Sequence, residues 1–235
     1  MPELPEVQMM VNSLITMVLN SYIEDVSIRK TAAGRELSLA KGQKIIEIFR
    51  FGKAVYFQLS RDAIMIEPGS HSAFHFQPNE AKRVRGACVI FRTSQGTLSL
   101  MQSSRNQRVL FVLKDQTCVP DVGVDPLTKR MSAKHLRRCL RLSSSTIKDF
   151  LIRDKIIAGI GPRYAKTILI RTRIDPQSEA RSITGRKAKS LFGNIKQVIS
   201  EAMAYRCPQH IGVSFPNPFN GYTIATGEKS DKQIT

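Results

Sequence analysis

No apolar run approaches the roughly 18 residues that a membrane-spanning helix needs, so none is expected in this 235-residue chain. The N-terminal apolar stretch lacks a basic flank, which argues against a signal peptide. The four cysteines, Cys88, Cys118, Cys139 and Cys207, are widely spaced. That spacing excludes a CxxC metal pair and a compact disulfide framework. A reduced, intracellular protein fits best, with nucleus, cytoplasm or organelle left open. Repeats and low-complexity tracts are missing. Acidic residues are scarce: 19 Asp and Glu face 36 Lys and Arg, a formal net charge of +17. An excess this large on a chain this size points to a polyanionic partner rather than a solvated basic surface. It is concentrated in residues 119–206, which hold 19 Lys and Arg against 7 Asp and Glu. Phosphates are the natural complement of that segment.

The most informative stretch present is Met1-Pro2-Glu3-Leu4-Pro5-Glu6-Val7. Removal of Met1 would make Pro2 the terminus, with a free secondary amine. An α-amino group has a reference pKa of about 8, against about 10.4 for lysine. A useful fraction is then unprotonated at neutral pH without burial. Such an amine attacks an electrophilic carbon to form an iminium, and Glu3 can move a proton at the same centre. The stretch also reads as a helix start, with Pro5 in the first turn and Glu6 favoured by the helix dipole. Both readings stand together, because a nucleophile needs a rigid mount.

Val7, Val11, Leu14, Ile15 and Val18 recur at helical spacing and predict an amphipathic helix over 5–19. Strand signals follow. Ile23–Arg29 is short and β-rich, and Lys44–Arg50 and Ala54–Leu59 flank a hairpin turn at Phe51-Gly52-Lys53. Further strands are expected at Ala63–Ile66, Ala87–Arg92, Thr97–Met101 and Val109–Leu113. The fold class is therefore α+β, an N-terminal β-sandwich with an N-terminal helix. Beyond Pro120 the pattern becomes helical. Ser132 is a plausible N-cap for a basic helix to Leu140, and Ser145 for one to Arg153. Pro162 suits the first position of a helix to about Arg171, and a long helix runs from about Gly185 to Tyr205. The chain divides into 1–118, 119–206 and a Gly-, Pro- and Asn-rich tail, 207–235, with weak strand character. His71 and His75 fall in strand and loop, which argues against a metal site. His135 reads as a surface residue, and Tyr164 as packing beneath a turn.

Ile147 to Arg173 reads as helix, Gly159-Ile160-Gly161 turn, helix. Unpaired N–H groups at such a helix start suit a phosphate, and glycines let another backbone approach. Arg163 and Lys166 follow in the first turn. An ordinary αα-hairpin would look similar without the charge.

Together these residues resemble the formamidopyrimidine-DNA glycosylase/endonuclease VIII family. The opening heptapeptide matches the family signature. The segment from Ile147-Lys148-Asp149-Phe150-Leu151 through Gly159–Ala165 to Ile174-Asp175-Pro176 resembles its helix–two-turn–helix motif. The resemblance reaches to about residue 206. It implies a bifunctional DNA glycosylase/abasic-site lyase of base excision repair that removes oxidised bases. Pro2 would attack C1′ of the damaged nucleotide, Glu3 would open the sugar and shuttle protons, and β- and δ-elimination would cut the strand. Lys53 would contact a DNA phosphate, Arg105 would fill the gap left by the flipped base, and Arg108, Gly161, Arg163 and Lys166 would bind DNA. The partner would be damaged DNA, duplex or single-stranded, bound by a monomer without cofactor or metal. The base must be extruded before C1′ can be reached, at a cost of a few kcal/mol.

The chain departs from the family pattern in four places. Pro162 replaces an Asn and brings neither N–H nor amide side chain. Ser70 stands for an apolar wedge, and Gln107 for an aromatic one. The four-cysteine zinc finger is absent, and Cys207-Pro208-Gln209-His210 cannot build one, so the tail is a zincless substitute or a truncated remnant. These losses fall on strand separation and grip. Lyase activity on abasic sites should therefore outlast excision from intact duplex. The alternative is a non-enzymatic damaged-DNA-binding protein that kept the fold.

Overall fold

The computed structural model describes residues 1–29, 34–70, 72–78, 85–101, 107–114, 122–205 and 222–225. Arg105, His71, Cys118 and Cys207 lie outside these residues.

Helix α1, Leu4–Val18, begins with Glu3 as N-cap and a proline in its first turn. Glu3 and Glu6 form a reciprocal capping box, which satisfies amides that a helix start leaves open. Strand β1 (Ile23–Ile28) follows, then a 3-10 turn at Arg35–Ala40. Strands β2 (Ile45–Phe51), β3 (Ala54–Leu59) and β4 (Ala63–Glu67) form a meander closed by β8 (Arg108–Val112), in the order β2-β3-β4-β8. The facing sheet runs β1-β6-β7-β5-β9, with β5 at Ala73–Gln77, β6 at Ala87–Thr93, β7 at Gly96–Met101 and β9 at Tyr222–Ala225. Every strand pairing among the described residues is antiparallel. In β5, Phe74 and Phe76 alternate inward, the period-two signature of a sheet with one face on a core.

Helices α2 (Ala133–Arg141), α3 (Ile147–Ile152), α4 (Pro162–Thr172) and α5 (Gly185–Tyr205) build the second half. Ser132 caps α2 by accepting from His135 N–H. The α3 cap is Thr146, accepting from Asp149 N–H, and not the expected Ser145. Ser145 instead pairs its hydroxyl with Ser143 and lends its carbonyl to Ala180 N–H. An N-cap accepts from an amide two or three residues on, and the helix starts one residue later than its serine run suggests.

The described residues contain two large apolar clusters. One lies between the sheets and takes Val7, Met10, Val11, Leu14 and Val18 from α1. The other unites α2 to α5 and takes Leu4. Helix α1 therefore has its first residue in the helical core and the rest of its apolar face in the sandwich. No helix among the described residues is long and apolar enough to cross a membrane.

Candidate active site

The N-terminal segment is bonded to the turn between α3 and α4. Leu4 N–H donates to Gly159 O at 2.8 Å. The Glu3 carboxylate accepts from Gly161 N–H at 2.9 Å, Arg163 N–H at 3.0 Å and Tyr164 N–H at 3.2 Å. Those amides form the start of α4, where unpaired N–H groups and the helix dipole favour an anion. Pro162, between them, has no N–H to offer. At this helix start, where a phosphate is expected, the chain itself supplies an anion, Glu3. The Gly161 amide, read in the sequence as a DNA contact, is used in the same way.

Two glycines make the approach sterically open. Gly159 has φ +87°, in the left-handed region, and a Cβ there would lie 2.8 Å from Leu4 Cβ. A Cβ on Gly161 would lie 2.4 Å from the Glu3 carboxyl carbon.

Glu6 completes the network. It is buried, and its Oε2 accepts from Glu3 N–H at 3.0 Å. Its Oε1 accepts from the Tyr164 hydroxyl at 2.6 Å and lies 2.6 Å from Arg163 Nη2. The Arg163 guanidinium also stands over the Tyr164 ring, 4.9 Å from its centroid. Tyr164 is therefore a polar member of the site as well as packing beneath the turn. Pro2 is buried between Glu3 and Met1, which is 56% exposed.

Lys53 sits at the β2–β3 hairpin, where Gly52 takes φ +59°. Its ammonium lies 2.8 Å from Asp154 Oδ2, and Asp154 Oδ1 accepts from Gly159 N–H at 3.0 Å. The hairpin lysine and the glycine turn thus share one carboxylate. Behind them a buried ion pair, Arg50 Nη2 to Asp125 Oδ2 at 2.5 Å, ties β2 to the segment leading into α2.

The structure therefore brings Pro2, Glu3, Gly161 and Arg163 together, with Lys53 joined through Asp154. Lys166 lies exposed on α4, along a groove of about 680 Å³ shared with Lys148, Ile170 and Arg173. Arg108 opens β8 and faces Glu67 Oε2 at 3.4 Å. Gln107 is buried, accepting from Ser72 Oγ and donating to Cys88 Sγ, so it serves the sandwich interior. Sequence reasoning missed Glu6 and Tyr164 as site members and Asp154 as the partner of Lys53. Only the capping-box spacing of Glu3 and Glu6 signalled any of these. It also missed a cleft of about 920 Å³ beside the hairpin, where Lys129, Arg130, Arg153 and Lys155 converge. Among the described residues no group of three or more His, Cys, Asp or Glu is placed to hold a metal.

Comparison with known proteins places this geometry. Residues 1–110 match the formamidopyrimidine-DNA glycosylase N-terminal domain, and residues 122–209 the H2TH domain of the same glycosylase. A formamidopyrimidine-DNA glycosylase of Wolbachia pipientis wMel is 30% identical over 213 residues, covering 87% of this chain and 79% of its own. One from Thermus thermophilus is 30% identical over 209 residues, covering 86% and 76%. The crystal structure of the MutM (Fpg) protein from Thermus thermophilus superposes with a TM-score of 0.77 at 27% identity, over 86% of this chain and 76% of that one. A Lactococcus lactis Fpg bound to DNA containing N7-benzyl-Fapy-dG shares the fold, with a TM-score of 0.79 at 22% identity over 86% and 79%. Two matched domains in the same order, over nearly all of the described chain, show that the protein belongs to the formamidopyrimidine-DNA glycosylase family.

Proposed function

We propose that this DNA glycosylase removes oxidised bases and then cleaves the abasic strand, with the secondary amine of Pro2 as nucleophile once Met1 is removed. The observation that carries this reading is the triple amide grip on Glu3, which fixes the residue bonded to Pro2 against a rigid helix start. An ionised carboxylate has about four acceptor directions. The α4 amides take three and the capping box takes a further one, so the carboxylate is held on every side.

The Pro2 nitrogen bonds to C1′, and the C1′–N bond breaks as the base leaves with its electron pair and takes up a proton. In the role proposed for it, Glu3 takes the proton that the Pro2 nitrogen sheds after bonding and passes it to O4′, which opens the sugar and leaves an iminium at C1′. The iminium acidifies C2′. Loss of that proton expels the 3′ phosphate as the C3′–O bond breaks, and a second elimination expels the 5′ phosphate. Water then hydrolyses the iminium and restores the amine. Lys53 exchanges Asp154 for a phosphate, while Arg105, Arg108 and Lys166 hold the backbone. In this reading residues 1–118 carry the chemistry and 119–206 much of the grip.

Borohydride trapping on abasic and lesion-bearing oligonucleotides, single- and double-stranded, tests the proposal. Protein whose intact mass establishes loss of Met1 should form a covalent adduct, and Pro2→Gly should form none. Failure of the processed protein to trap abasic DNA at any pH would refute the amine mechanism and favour a binding protein without catalysis.

A further inference from the structure

We infer that Arg163 is a positioning residue for the Pro2 amine, a role distinct from the phosphate contact its place in the helix start suggests. The inference rests on the amine reading above. Two carboxylates, Glu3 and Glu6, lie buried side by side at the N-terminus, with relative exposures of 5% and 6%. Glu3 is met by three amides of α4. Glu6 is met by the Tyr164 hydroxyl and by the Arg163 guanidinium at 2.6 Å. The guanidinium lies between a carboxylate and an aromatic face, while the side chain as a whole remains 40% exposed.

The consequence for the amine is electrostatic. Glu6 Oε2 accepts from Glu3 N–H at 3.0 Å. The nitrogen of Glu3 is three bonds from that of Pro2, so chain geometry puts this carboxylate within about 6–7 Å of the nucleophile. A carboxylate at such range favours the ammonium form of an amine, and an ammonium cannot attack. Arg163 opposes that field from the far oxygen of the same carboxylate. On the neighbouring hairpin and strand, Lys53 pairs with Asp154 and Arg50 with Asp125. Arg163 therefore holds Glu6 in place and lowers the pH at which the Pro2 amine is free.

The test is the pH dependence of single-turnover trapping on abasic DNA, with processed wild type, Arg163→Gln, Arg163→Lys and the double variant Arg163→Gln/Glu6→Gln. The midpoint of the alkaline rise should move up by about half to one pH unit in Arg163→Gln. It should return towards wild type in Arg163→Lys, which keeps the charge, and in the double variant, which removes the opposing carboxylate. The salt dependence of DNA binding should be the same in wild type and Arg163→Gln. An unchanged midpoint in Arg163→Gln with a shallower salt slope would overturn the inference and make Arg163 a phosphate ligand. Should Arg163→Gln fail to fold, an upward shift in the double variant equal to that expected for the single one would also overturn it. Failure of the wild type to trap at all would strike the amine reading instead, which separates the two.

Discussion

At the scale of single residues, the site depends on what glycine leaves out and on what one carboxylate takes up. Gly161→Ala would drive a methyl group against the Glu3 carboxyl, 2.4 Å away, with the backbone pinned on both sides. Trapping on abasic DNA should fall at least tenfold, a loss of about 1.4 kcal/mol or more at the reacting centre, while far-UV circular dichroism stays native. Asp154 has the opposite effect on function. It occupies Lys53 at 2.8 Å, so a phosphate must displace a bonded carboxylate. Asp154→Asn should bind abasic-analogue DNA more tightly than wild type, because Lys53 then reaches its phosphate without giving up a bonded carboxylate; equal or weaker binding would exclude the competition. The residues proposed to carry the chemistry were legible in the sequence because Pro2 and Glu3 are adjacent and their reactivity would be intrinsic. Asp154 was not, because its partner lies 101 positions away and nothing local marks an aspartate as a lysine's counter-ion.

At the scale of elements, α4 shows how a helix is fitted to its site at both ends. Its start is capped by the carboxylate of Glu3, the N-cap of α1, and its end by Arg173 in the left-handed conformation, φ 52°. A side chain with a Cβ is strained there and glycine is not. Arg173→Gly should raise the unfolding free energy by up to about 1 kcal/mol in urea titration, unless the groove it shares with Lys166 contributes more than the strain costs. At α3 the cap is Thr146, and Thr146→Ala should cost about 1 kcal/mol by the same measurement. Most elements were legible from periodicity: the α1 face, the β2–β3 hairpin, and Pro162 opening α4. Strand β5 was less so, because Phe74 and Phe76 alternate over only five residues. The one-residue error at the α3 cap arose because Ser143, Ser144, Ser145 and Thr146 offer four chemically similar caps, and packing chose among them.

At the scale of the whole molecule, two apolar cores meet at the N-terminus, with Leu4 in one and Val7 in the other. Opening the two halves relative to each other would pull on Glu3, the residue bonded to the proposed nucleophile. Stability should also depend on pH through the five-stranded sheet. His75 lies on β5 between β7 and β9, and burial pushes its imidazole below the ordinary value near 6.5. The folded state thus prefers the neutral ring, and the unfolded chain takes up the proton first. This contribution is fully present above about pH 6.5 and is lost as pH falls through the lower folded value. The urea midpoint should fall between pH 7 and pH 5 in wild type and fall less in His75→Phe.

The sequence by itself marked the residues on which the proposed chemistry rests and determined most of the parts: a proline and an acid at positions 2 and 3, alternating strands, a glycine turn between helices, and a positive charge massed in residues 119–206. These depend on neighbours a few positions apart, where spacing and side-chain type decide the outcome. Only the tertiary structure decided which anion occupies the start of α4 and where the Arg163 guanidinium turns. The sequence offered a phosphate for the first and DNA for the second. Folding delivers Glu3 and Glu6 to that helix from 158 to 161 positions away, inside the protein. A carboxylate already fixed in place loses no further freedom by binding, whereas a free phosphate would.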